Sequence, residues 1–161
     1  MGKDLSGANF SRCRRYRYTL WRRWSDEGPQ VMIIGLNPST ADAKHDDPTI
    51  RRCTRFARDW GGGGLVVVNL FAYRATYPSD LKAEPEPIGP RNDAWIRRMA
   101  DQSQIVVAAW GNHGTWLDRA DRVRRMLKER LSCLRLTAAG QPAHPLYLPA
   151  RLFPKPWRDG D

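Results

Sequence analysis

Three short runs of unbroken apolar, β-branched residues constrain the fold more than any other feature of this sequence. They are residues 31–36 (VMIIGL), 65–70 (LVVVNL) and 105–110 (IVVAAW). A strand with one wet face alternates apolar and polar residues, whereas a strand covered on both faces reads as a continuous apolar run. Between the runs lie segments with apolar residues three and four apart. Residues 49–60 carry Ile50, Cys53, Phe56, Ala57 and Trp60 in this spacing, residues 92–100 follow the same pattern, and residues 116–131 place Leu117, Ala120, Val123, Leu127 and Leu131 on one stripe. Such alternation predicts right-handed crossovers and an α/β protein, a three-layer α/β/α arrangement around a central four-stranded parallel sheet. Residues 134–137 (LRLT) supply the expected fourth strand. Residues 16–24 (YRYTLWRRW) precede the turn-rich SDEGPQ and are expected to form an antiparallel hairpin with the first parallel strand. Gly61 to Gly64 follow a helix and precede a strand, the reverse of a phosphate cradle, and so read as a helix stop. Residues 78–90 read as a proline-rich connection and residues 154–161 (PKPWRDGD) as a loose tail.

The 161 residues suit one domain, 1–161, with its core at about 31–150. An apolar share of 41% excludes global disorder. No window approaches the length of a membrane span, and no apolar run follows the N-terminus as a signal peptide requires. Lysine and arginine number 27 against 17 acidic residues, a net charge of +10. That excess favours a polyanionic partner, nucleic acid first, with a solubilising surface as the alternative. Cys13, Cys53 and Cys133 form no CxxC pair and cannot close a four-cysteine site. Free thiols in a reducing cytoplasm are the simplest reading. His45, His113 and His144 are dispersed, and neither a metal nor a cofactor is expected.

In an open parallel sheet, ligands bind beyond the carboxyl ends of the strands. The first strand runs into Gly35-Leu36-Asn37-Pro38-Ser39-Thr40, and the second ends in Asn69 before Leu70-Phe71-Ala72-Tyr73-Arg74. The third ends in Trp110-Gly111-Asn112-His113, and the fourth leads to His144-Pro145-Leu146-Tyr147-Leu148. Two amides and two histidines are thus expected at one edge. Each also has a plainer role: Asn37 before proline suits a turn, Asn69 a backbone clamp, His113 and His144 caps, and Trp110 the core. Asp47 followed by Pro48 is helix-start chemistry, with Thr49 or Arg52 as candidates to face a pocket.

The order of these motifs resembles the uracil-DNA glycosylase superfamily. IIGLNPST is similar to the first active-site motif of its mismatch-specific branch, VVVNLFAYRA to the strand whose asparagine reads the base, and VVAAWGNHG to the apolar strand ending in tryptophan and glycine. GQPAHPLYLP is similar to the closing histidine–proline motif, with Leu146 where a serine is usual. Asn37 stands where the most efficient uracil enzymes carry aspartate, and the cysteine count excludes the iron–sulfur branches. More closely, NPSTAD, DDPTIRRC, NLFAYRAT and HPLYLP look like a bacterial and phage domain family of unknown function placed in that superfamily.

The resemblance implies hydrolysis of the N-glycosidic bond of a base flipped out of DNA. Asn37 and His144 are the implied catalytic pair, Asn37 holding the water and His144 stabilising the departing base. Asn69 is the implied base reader, with Phe56 or Phe71 stacking on the base. Leu146, Tyr147 or Leu148 is expected to wedge into the vacated stack, and Arg51, Arg52 and Arg74 to meet phosphates. DNA is the expected partner, no membrane is involved, and a monomer is anticipated. Three functions stay open: a DNA glycosylase for uracil or a related deaminated or modified base, a nucleic-acid binder without catalysis, and an enzyme acting on a free nucleoside or nucleotide.

Overall fold

A computed structural model describes residues 4–158. Its strands are β1 (Leu5–Phe10), β2 (Arg17–Arg23), β3 (Gln30–Gly35), β4 (Gly64–Asn69), β5 (Ile105–Ala108), β6 (Leu131–Cys133) and β7 (Lys155–Pro156). The helices are α1 (Pro48–Asp59), α2 (Pro78–Ala83), α3 (Asn92–Asp101) and α4 (Arg119–Leu127). The sheet order is β1-β2-β4-β3-β5-β6-β7. Strands β4, β3, β5 and β6 run parallel, and antiparallel strands flank them on both sides.

The continuous runs are covered on both faces. Val31, Ile33, Leu65 and Val67 pack against Ile50, Cys53, Phe56 and Ala57 of α1. Met32, Ile34, Val66 and Val68 face the other way, against Ile96 and Ala100 of α3 and Ala120, Val123 and Leu127 of α4. One residue of each strand therefore serves one layer and the next serves the other.

Four expectations need correction. First, the sheet has seven strands rather than four and one hairpin strand, because β1 and β7 extend its edges. Second, β2 pairs with β1 and β4, not with β3. The chain between β2 and β3 wraps around the glycine run, with Trp24 and Ser25 N–H both donating to the Gly63 carbonyl. A Cβ on Gly63 would lie 1.9 Å from the Glu27 carbonyl, so this crossing needs glycine. Third, the helix expected over 116–131 is broken at both ends. Leu117 and Asp118 are left-handed (φ 55° and 56°), and Leu131 belongs to β6, which replaces the strand expected at 134–137. Just past the first break Arg119 is buried, and its Nε donates to the Leu70 carbonyl at 2.9 Å. Fourth, residues 154–158 are not loose. Lys155 and Pro156 pair with Cys133 and Ser132, and Trp157 is buried beside Trp110 with ring centroids 5.6 Å apart. The rest of that stretch, 159–161, lies outside the described residues.

Candidate functional site

The ends of β3, β4 and β5 and the loop carrying His144 enclose a cleft of about 640 Å³. Asn37, Asn69 and His144 all line it, joined by Arg17, Asp47 and Trp110. Residues from four separate parts of the sequence meet here because the parallel strands deliver their carboxyl ends to one edge.

Asn37 follows β3 and is half-buried. Its Nδ2 donates to the Ala75 carbonyl at 2.7 Å and to the Pro38 carbonyl at 3.1 Å. With both N–H groups engaged, the amide plane is held and Oδ1 is left as an acceptor.

Asn69 ends β4 and is 3% exposed, yet its Nδ2 has no hydrogen-bond partner. A buried amide donor without a partner is costly, so the arrangement fits a group awaiting a ligand. Gly35 sits opposite it in the ladder, and a Cβ there would approach Asn69 Oδ1 to 2.8 Å. The clamp role is filled instead by Asn92, whose Nδ2 donates to the Asn69 and Leu70 carbonyls at 2.8 and 3.0 Å. Arg119, ion-paired with Asp93 at 2.8 Å, reinforces it through the Leu70 carbonyl. The strand end is thus fixed by its backbone, and the Asn69 side chain is spared that task.

His144 Nδ1 accepts the Leu146 N–H at 3.2 Å. In a neutral ring this leaves the proton on Nε2. Burial lowers the pKa of His144 below its ordinary value, opposed by the charge of Asp47. The ring is therefore a neutral donor near pH 7 rather than a cation.

Asp47 caps α1, its Oδ1 accepting the Ile50 N–H at 2.8 Å, as Asp-Pro at a helix start leads one to expect. It is also the one carboxylate among the described residues lining the cleft, a position the strand-end reading missed because Asp47 lies twelve residues beyond β3. Arg17 was missed too. It is 2% exposed, and burial holds its pKa down at about 10, with Asp47 the chief opposing charge. An arginine beside Tyr16 and Tyr18 at the start of a strand buried on both faces was the available signal.

Other expected residues fall elsewhere. Phe56 and Phe71 are buried in opposite layers of the core, Phe71 against Trp116 at 5.0 Å, and neither lines the cleft. Both are large apolar groups next to strands, and the core claims them first. Leu148 is buried with α1, whereas Leu146 and Tyr147 stand exposed at the cleft. Arg52 turns inward, donating to the Leu148 carbonyl with its guanidinium over the Phe56 ring. Arg51 is exposed on the first turn of α1. Arg74 lies outside the cleft, in an adjoining cavity. His113 is exposed at the rim, its Nδ1 3.2 Å from Lys82 Nζ.

Among the described residues no group of three or more His, Cys, Asp or Glu side chains is placed to hold a metal ion. No helix among them is long and apolar enough to cross a membrane. Fold and cleft define an α/β protein with a cleft lined by polar side chains at the carboxyl edge of its parallel strands. Within that class, the chain belongs to the family described as protein of unknown function (DUF1643), whose model matches residues 17–146. No curated protein and no solved structure matches it.

Proposed function

We propose that this protein is a DNA glycosylase, releasing uracil or a related deaminated or modified base by hydrolysis of its N-glycosidic bond. One observation carries the proposal: Asn37, Asn69 and His144, each over 30 residues from the next in sequence, line one cleft, and the buried Asn69 amide there lacks a partner. Asn69 offers a donor at Nδ2 and an acceptor at Oδ1, complementary to the carbonyl and N–H edge of uracil. Asn37 Oδ1 accepts a hydrogen bond from the attacking water and orients it. The amide cannot take the proton, which the water sheds as its oxygen bonds to the sugar carbon and which ends on the departing base anion. As the bond breaks, its electron pair leaves with the base, and the His144 Nε2–H donates to the oxygen on which negative charge develops. Exposed Leu146 and Tyr147 occupy the space left in the duplex. The superfamily resemblance of the four motifs supports the same chemistry.

The test is incubation with duplex and single-stranded oligonucleotides, each carrying one lesion, scored for abasic sites. The expected result is strand cleavage by alkali at one or more lesions, abolished by His144→Ala and by Asn69→Ala. Tight binding without base release from any lesion would leave only a nucleic-acid binder.

A further inference from the structure

Arg17 and Arg74 are both short of partners. The Arg17 guanidinium makes one hydrogen bond, from Nη1 to the Ala41 carbonyl at 3.0 Å, and its buried Nε has none. Arg74 donates from Nη1 to the Arg14 carbonyl at 3.3 Å, lies over the Phe10 ring, and likewise has a buried, unpartnered Nε. Neither arginine has an ion pair among the described residues, although buried charges are ordinarily paired. The two stand on neighbouring backbone, the Arg17 N–H donating to the Ala72 carbonyl and the Arg74 N–H to the Arg15 carbonyl, and the charge of Arg74 disfavours that of Arg17.

The acidic groups nearby do not resolve this. Asp47 opposes Arg17 through space, but its Oδ1 is spent on capping α1. Glu84 is paired with Arg15 at 3.0 Å, and Asp46 with Arg22 at 2.8 Å. Asp80 is exposed on α2, at the wall of the cavity that Arg74 lines. That cavity, about 650 Å³, adjoins the main cleft and shares Ser39, Thr40, Ala75 and Thr76 with it. Arg17 thus stands on the cleft side of a hydroxyl-bearing ridge and Arg74 on the other.

We propose that this ridge is a phosphate subsite, in which Arg17 and Arg74 take the phosphate attached to the sugar of the base held in the cleft. An anion between two guanidiniums supplies the missing acceptors and cancels their mutual repulsion, and charge-assisted bonds of this kind are the strong ones. The identity of the attached base rests on the glycosylase reading, whereas the phosphate subsite does not. The ligand class is then a nucleoside phosphate, either free or as one link of a strand.

Calorimetric titration of the whole protein separates these. The probes are deoxyuridine, deoxyuridine monophosphate, deoxyadenosine monophosphate and a short single-stranded oligonucleotide containing one uracil. Wild-type protein should bind the uridine monophosphate about tenfold or more tightly than deoxyuridine. Arg17→Lys and Arg74→Ala should each remove most of that preference, and Arg74→Ala, outside the cleft, should leave deoxyuridine affinity unchanged. Arg74 is only half-buried, so its variant keeps the test valid if Arg17→Lys fails to fold. An arginine-dependent gain seen only with the oligonucleotide assigns the phosphate to a strand. Equal binding of the adenine and uracil monophosphates keeps the subsite and removes Asn69 as a pyrimidine reader. No preference for phosphate, a preference that survives both variants, or no binding of any phosphate-bearing probe overturns the proposal.

Discussion

Two buried asparagines near the end of β4 have opposite relations to the fold. Asn92 gives both its amide hydrogens to backbone carbonyls, while Asn69 gives its own to no partner among the described residues. Asn92→Ala strips donors from carbonyls that stay buried and should lower the unfolding free energy by about 2 kcal/mol. Asn69→Ala removes a group already unsatisfied and should cost less than about 1 kcal/mol. Urea denaturation of the two variants measures the difference, and equal costs would make Asn69 a structural residue. His144 makes a second residue-scale prediction. Burial depresses its pKa in the folded protein, so below the ordinary value of 6.5 the unfolded chain takes a proton that the folded chain refuses. Its contribution to stability is intact above pH 6.5, is lost as pH falls from there toward the depressed value, and then levels off. Wild-type protein should therefore lose more stability between pH 7 and pH 5 than His144→Gln, with the gap closed above pH 7. Parallel pH profiles for the two proteins would contradict this.

At the scale of elements, β7 and the residue after it make an edge of the sheet out of what reads as a tail. Trp157 packs on Trp110 and lies under the Arg124 guanidinium at 3.7 Å. Trp157→Ala should cost about 3 kcal/mol, read as a lower midpoint in thermal or urea unfolding. A change near zero would show that the closing strand contributes nothing. The sequence is silent here because Lys155-Pro156-Trp157 has no periodicity, and its partners, Ser132, Cys133, Arg124 and Trp110, lie far back in the chain. Strands β3, β4 and β5 were legible because residues covered on both faces leave an unbroken apolar record, and α1 because Asp47 and Pro48 mark its start. The α4 segment misled for a physical reason: Leu117 falls on the apolar stripe but is left-handed and exposed, while Arg119, a charged residue, is buried two positions later. Periodicity registers apolar faces, not an arginine drawn inward by a carbonyl. The same blindness hid Arg17. Asn37 and Asn69, by contrast, could be placed from topology, since the ends of parallel strands converge at one edge, whereas His144 reaches that edge on the loop beyond β6.

At the scale of the molecule, on the glycosylase reading the net charge of +10 is assigned to docking and the uncharged amides to the reaction. Phosphate contacts release counterions, so duplex affinity should fall steeply with salt whatever the base. Arg51, exposed on the first turn of α1, should behave as one such contact: Arg51→Ala should weaken damaged and undamaged duplex alike and flatten the salt slope by about one. Asn37→Ala should leave affinity and slope where they are, because the Asn37 amide hydrogens are already committed to protein carbonyls and only Oδ1 faces outward chemistry. Its cost should appear in base release, slowed by about a hundredfold for loss of one preorganised polar group. Salt titrations of binding beside single-turnover base release separate the two. If Asn37→Ala weakens binding as much as it slows release, the amide acts on the bound substrate rather than on the transition state, and the water must be held by another acceptor in the cleft, where Asp47 is the remaining carboxylate.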